Sequence, residues 1–268
     1  MVRLEERAAP GRLEIVARTE EEAREARERV LAAWAEAPRH GGFVGFAGGR
    51  AYFKLSALAG KTRFRYALKR GLLRAPLPRL AEFANLAWLR EHGFQAPEPL
   101  AAGALWRRGL PRFQFLFTRE VPGARTLEAW LAEKTEPSER AAVLDALART
   151  VARMHELRFL HHDLFPRNIL VTGTSPSGGD GRVWFLDCWA GGPAAQVRGP
   201  AYDLACLTDR AAGSFSEEEL QRLLEAYVAA RAASGRPASA DRLLRAVRRQ
   251  RQALARKDGR DRGSHDPR

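Results

Sequence analysis

The sequence predicts an α+β protein of two lobes: a smaller, mostly β N-terminal lobe carrying one or two helices, then a larger, mainly helical C-terminal lobe. Three observations lead there. Before residue 118 the apolar residues come in short alternating runs bounded by Gly and Pro, the pattern of strands and hairpins. After Gly123 they recur at helical spacing over longer segments. The length, 268 residues, suits one large or two small domains, with 45% hydrophobic and 29% charged residues. The expected division is 1–118, 119–256 and a basic tail, 257–268, read as frayed and disordered, with the lobes joined near 118–122.

The elements follow in order. Residues 12–18 alternate and suit a strand. Thr19 with Glu22 fits a capping box for a helix over 20–37. Gly48-Gly49 marks a hairpin with strands near 43–47 and 50–55, Lys54 lying on the second. Residues 61–74 carry Phe64, Ala67, Leu68, Gly71 and Leu72 at helical spacing, and the remaining face is largely Lys and Arg. Pro76 and Pro78 end that helix, and a second covers 79–92, stopped by Gly93. Two strands follow, within 97–105 and 112–121. The C-terminal lobe opens with helices at 126–133 and 137–157, the latter with Pro137 in its first turn. Apolar strands near 168–171 and 182–187 flank a Gly/Ser loop. Helices near 200–211, 216–234 and 238–256 complete the chain, the second opened by a Ser216–Glu219 capping box.

Composition excludes a collagen, a wholly disordered chain and a membrane channel. No apolar run approaches the ~20 residues of a membrane span, and the N-terminus lacks the apolar stretch of a signal peptide, so a cytosolic protein is expected, at most visiting a membrane surface. Cys188 and Cys206 are too few for a disulfide framework or a multi-cysteine metal site and read as reduced, buried thiols. The net charge is +13, from 45 basic and 32 acidic residues, which favours anionic partners. Arg50 to Ala81 holds nine Lys or Arg and no acid. Asp241 to Arg268 holds ten basic and four acidic residues.

The polar residues carry the chemistry. In order they are Lys54 on a strand, Glu82 on a helix, Asp163 and Asn168 in one loop, and Asp187 ending a strand. HHDLFPRNILV has His161-x-Asp163-x-x-x-x-Asn168, and FLDCWA places Asp187 nineteen residues beyond Asn168. This arrangement resembles the protein-kinase-like superfamily over about residues 40–230. The resemblance implies a two-lobe fold, with a small antiparallel sheet plus helix in the N-lobe and a mainly helical C-lobe. It also implies ATP and Mg²⁺ as cofactors. Phosphoryl transfer is chiefly positioning and charge neutralisation of a polyanion. A Lys must grip the phosphates and a Glu must hold it extended; the resemblance gives these roles to Lys54 and Glu82. Asp163 becomes the base that orients the attacking hydroxyl. Asn168 and Asp187 become the Mg²⁺ ligands, oxygen donors suited to a hard cation. Adenine is expected against the connector backbone at Arg119, Glu120 and Val121. Asp203 matches the family's buried Asp that ties the catalytic loop, and His155 and His161 read as structural. Arg167, beside the base, is a candidate for the transferring phosphate or for acid groups of the acceptor.

Several departures argue against a regulated eukaryotic-type protein kinase. Gly41-Gly42 precede Lys54 at about the right distance, but no G-x-G-x-x-G exists. Cys188-Trp189 follow Asp187 where Phe-Gly is usual, Phe165 replaces the Lys two residues after the base, and 188–203 is too short for an activation loop. The segment 61–103 resembles the lipopolysaccharide core kinase family, Kdo and heptose kinases among them, in its basic stretch and in Arg79, Glu82, Leu89, Gly93, Pro97 and Pro99. That resemblance implies an anionic glycolipid acceptor at the inner membrane. Residues 61–74 could then contact the anionic membrane surface reversibly, a cytoplasmic and peripheral location. Nucleic acid is not an expected partner. The competing readings are a kinase of a soluble small molecule such as an aminoglycoside or free sugar, an atypical protein kinase, and an inactive nucleotide-binding scaffold or a nucleic-acid binder.

Overall fold

A computed structural model of the chain describes residues 1–8, 11–36, 39–133, 135–173, 183–193, 198–209, 215–235 and 239–263. The chain divides into two compact units, Met1–Pro122 and Gly123–Arg268. The boundary falls four residues beyond the expected 118/119, because the last central strand runs on to Arg119 and its neighbour Glu120 still bonds into the sheet.

The first unit is built on an antiparallel six-stranded sheet: β1 Val2–Ala8, β2 Gly11–Ala17, β3 Arg39–Phe46, β4 Gly49–Ala57, β5 Pro99–Arg107 and β6 Leu110–Arg119. Their spatial order is β1-β2-β5-β6-β4-β3. Strand alternation decides what each face carries. Leu13, Ile15, Phe53, Leu55, Phe113, Phe115 and Phe117 share one core with Ala23, Ala26 and Val30 of helix α1, Glu20–Glu36. Phe117 stacks between Phe46 and Phe53, at centroid distances of 4.3 and 4.4 Å. The intervening residues, Glu14, Lys54, Gln114 and Leu116, therefore face the opposite side. There lie α2, Gly60–Leu73, and α3, Pro78–Glu91. The predicted capping box of α1 is present, Glu22 N–H donating to Thr19 Oγ1 at 3.1 Å and Thr19 N–H to the Glu22 carboxylate at 3.2 Å.

Sequence and structure part in places. β1 was not expected; it is an edge strand whose alternating charges mask its pattern. The β3–β4 turn is Ala47-Gly48, both at positive φ, one residue earlier than predicted. Gly41 and Gly42 lie within β3, Gly41 directly opposite Lys54 and Gly42 opposite Phe53. They are thus part of the sheet rather than a loop.

The second unit is helical with small sheets. It contains β7 Arg125–Thr126, α4 Leu127–Ala132, α5 Pro137–Glu156, β8 Phe159–Leu160, β9 Ile169–Val171, β10 Val183–Phe185, β11 Gly192–Pro193, α6 Gly199–Leu207, α7 Glu217–Ala233 and α8 Ala240–Gly263. β10, β9 and β7 form one sheet; β11 pairs with β8. α7 begins with the predicted Ser216–Glu219 capping box. α8 stays helical to Gly263, seven residues into the stretch expected to be disordered; residues 264–268, and the Gly/Ser loop from 174 to 182, lie outside the described residues. Both cysteines are buried and outside any disulfide. Among the described residues no helix is long and apolar enough to cross a membrane.

Candidate active site

In the first unit, β4 aims Lys54 at α3, where Nζ donates to Glu82 Oε1 at 3.0 Å. Glu82 is buried, so its charge requires partners. It has a second one: Arg79, one turn earlier, donates to Oε2. Two cations thus share one carboxylate, each on its own oxygen. The sequence shows Arg79 only as a motif residue; the structure gives it a contact.

The start of α3 is fixed from the sheet. Leu77 occupies the N-cap and has no side chain for capping. Instead buried Gln114, on β6, accepts the Arg79 N–H through Oε1 at 3.0 Å. Gln114 pairs with Ser56, two residues from Lys54, so one strand pair places both the Lys and the helix that answers it. Sequence reasoning missed Gln114, since its partner lies 35 positions away. We expect Gln114→Leu to leave that helix N–H without its acceptor, at about 1 kcal/mol. The KM for ATP should rise severalfold with a smaller fall in kcat. Steady-state kinetics at varied ATP check this.

At the unit's end, Arg119 N–H donates to Glu98 and Glu120 N–H to Arg50, at 2.8 and 3.0 Å. Both are engaged in the fold. This narrows the connector expectation: a base pairing there would use the carbonyls of 119–120 or the backbone of Val121.

In the second unit, the loop after β8 holds His161, His162 and Asp163, then a 3₁₀ turn, Pro166–Asn168, leads into β9. Pro166 in the first turn and the Asn168 N–H bond to the Phe165 carbonyl, at 2.8 Å, close that turn. Asn168 Nδ2 donates to the Asp163 carbonyl at 2.8 Å and to Asp163 Oδ2 at 3.0 Å. The base candidate and one ligand candidate are therefore side by side, and the amide nitrogen turned to Asp163 leaves the amide oxygen for a hard cation. Arg167 lies 3.5 Å from Asp163 Oδ1, with its guanidinium 4.2 Å from the Phe165 ring centre. Burial pushes the Asp163 carboxyl above the ordinary aspartate value, against the pull of Arg167. Burial also pushes the His161 imidazole below its ordinary value, which favours a neutral, packing ring beside Phe185.

Asp203, on α6, is fully buried under this loop. Its Oδ2 accepts the His161 N–H and its Oδ1 the His162 N–H, both at 2.7 Å. His155, on α5, contacts the same carboxylate through Nε2 at 3.2 Å and Tyr227 through Nδ1 at 2.9 Å. Burial opposes the Asp203 charge, but the hydrogen bonds from His155 and the loop prevail and hold its carboxyl below the ordinary value. His162 sits at φ 61, a strained turn that these bonds sustain.

Asp187 follows β10 in a left-handed conformation, φ 53 and ψ 33, and caps a short 3₁₀ turn, Cys188–Ala190. Asp187 thus lies two residues past the strand it was expected to end. Next, Gly191 allows β11 to close on β8: a Cβ there would fall 1.8 Å from the Leu160 carbonyl oxygen. No sequence motif marks that requirement. Among the described residues no three His, Cys, Asp or Glu cluster as a metal cage.

This loop, with its tying Asp and Asp187 just beyond β10, defines the class: a protein-kinase-like fold. A solved structure of WaaP in complex with acyl carrier protein shares the fold, at TM-score 0.57 and 19% identity over 90% of this chain and 98% of that one. The profile of the lipopolysaccharide kinase (Kdo/WaaP) family matches residues 29–227, and the chain belongs to that family. Two relatives show the range of similarity. A 3-deoxy-D-manno-octulosonic acid kinase of Photobacterium profundum is 35% identical over 106 residues, 40% of this chain and 41% of that protein. An aminoglycoside 3'-phosphotransferase of Streptomyces ribosidificus is 36% identical over 92 residues, 34% of this chain and 31% of that protein. The chain thus spans about two fifths of the first relative's length and under a third of the second's.

Proposed function

We propose that the protein is an ATP- and Mg²⁺-dependent phosphotransferase acting on a sugar hydroxyl of a lipopolysaccharide core, Kdo or heptose, or of a similar glycolipid. The observation that carries this reading is Asp163 hydrogen-bonded to Asn168 in a chain of the Kdo/WaaP family. Lys54, held extended by Glu82, grips the phosphates of ATP, with adenine along the backbone at Glu120 and Val121. Asn168 and Asp187 hold Mg²⁺, which shields the charge of the transferring group. Asp163 accepts the proton of the attacking hydroxyl. Arg167, steadied over Phe165, meets the transferring phosphate or an acid group of the acceptor. A membrane glycolipid acceptor implies work at the cytoplasmic face of the inner membrane.

The aminoglycoside 3'-phosphotransferase relative supports a second reading, a kinase of a soluble acceptor. One experiment separates them. The protein is incubated with Mg²⁺, γ-labelled ATP and a total membrane-glycolipid extract, with Asp163→Asn as control. Label in the glycolipid fraction, lost in the variant, supports the first reading. Label confined to a soluble small molecule selects the second, and label in protein sinks both.

A further inference from the structure

α2 reverses the usual order of an amphipathic helix. None of its residues is buried. The side turned to the sheet is mostly polar: Arg70 donates to both oxygens of buried Glu14 at 2.8 Å and lies 5.2 Å from the Trp106 ring centre. Arg3 bonds the same Glu14 at 2.6 Å, and Tyr66 packs on the small cluster of Leu77, Ala104 and Trp106. The opposite side carries Phe64, Leu68 and Leu72 in one row at four-residue spacing. They are 54%, 62% and 74% exposed. Lys61, Arg65 and Lys69, all exposed, border the row, and Arg74 follows at the C-cap.

A row of large exposed apolar side chains marks an interaction surface. Two features decide what covers it. First, no acid occurs from Arg50 to Ala81, so the partner is anionic. Second, the cations flank the apolar row on one short helix, the layout that places apolar side chains among acyl chains and basic ones at headgroup phosphates.

We propose that α2 is a lipid-docking helix. It lies in the plane of an anionic bilayer surface, with Phe64, Leu68 and Leu72 entering the acyl boundary and Lys61, Arg65, Lys69 and Arg74 at the headgroups. The Arg70–Glu14 pair secures the helix by charge, so its apolar row stays turned outward. This deepens the membrane-glycolipid reading and rests on it only for purpose. One short helix gives reversible recruitment, not anchoring.

The test uses the full chain in flotation with pure phosphatidylcholine vesicles and with vesicles containing phosphatidylglycerol. Wild type should float only with the latter. The Phe64→Ser/Leu68→Ser/Leu72→Ser variant, altered at exposed positions alone, should bind them at least about tenfold more weakly, ~1.4 kcal/mol. It should phosphorylate a detergent-solubilised acceptor as wild type does. In a Leu68→Trp variant, anionic vesicles should shift the new indole's emission to the blue. Equal binding of wild type and triple variant would reduce the contact to charge and overturn the proposal. So would equal partition to both vesicles, or a dimer that only the triple variant loses. Vesicle binding without glycolipid phosphorylation leaves this inference standing and sinks the functional reading; phosphorylation without vesicle binding does the reverse.

Discussion

Asp163→Asn should lower kcat by about 10²–10⁴ while the KM for ATP changes little. The substitution removes the proton acceptor, together with the charge that faces Arg167 and the carboxylate that accepts from Asn168 Nδ2. The bond from Asn168 to the backbone carbonyl of residue 163 survives, as do the two N–H bonds that Asp203 accepts, because none uses the altered carboxylate. Lys54, Glu82 and Arg79 belong to the other unit. A defect confined to kcat is therefore the signature of a lost base, since an interaction needed only in the transition state leaves ground-state binding alone. Arg167 adds a second expectation. Its partner is the Asp163 carboxylate, so in the variant it loses that charge and its contribution to an acidic acceptor changes. Labelled-ATP turnover, with circular dichroism to confirm folding, checks the result. A variant within tenfold of wild type would remove Asp163 from the role of base.

How much of this could be read beforehand follows from the range of each interaction. Caps are local: Thr19–Glu22 and Ser216–Glu219 span three residues and were legible. Lys54 was placed on its strand by the Gly48-Gly49 hairpin signal before it, and Asp163, Asn168 and Asp187 by a motif with fixed spacing. The partners that hold these groups were less visible. Gln114 reaches Arg79 across 35 positions, and no local pattern marks a strand glutamine as a helix cap. β1 hid because an edge strand with Arg3, Glu5 and Glu6 carries charges at the positions that would otherwise alternate. α2 is the instructive case. The spacing of Phe64, Leu68 and Leu72 identified an amphipathic helix, but periodicity reports a stripe and not its direction. The Arg70–Glu14 pair and the exposure of Phe64, Leu68 and Leu72 show that the stripe points away from the unit's core.

Asp203→Asn should destabilise the second unit by about 3–5 kcal/mol and abolish transfer, although Asp203 is assigned no contact with either substrate. Two backbone N–H groups of the loop and His155 converge on this buried carboxylate. An amide of the same shape keeps one oxygen but turns an NH₂ toward a donor, so at least one N–H of the loop loses its acceptor. His162 then has no reason to hold its left-handed backbone, and Asp163 is the next residue. Loss of activity here should come with altered loop protection in hydrogen exchange, which Asp163→Asn should not show. The dependence on pH separates charge from shape. The folded Asp203 carboxyl is held below the ordinary ~3.9, so its ionised form stabilises the fold at every pH above that value. This contribution is lost as pH falls through the lower folded value. Asn cannot titrate. The stability gap between wild type and Asp203→Asn should thus be widest near neutrality and narrow on acidification below about pH 4. Urea unfolding at a series of pH values measures it. A gap that stays constant across the series would mean that the oxygen positions, and not the charge, tie the loop.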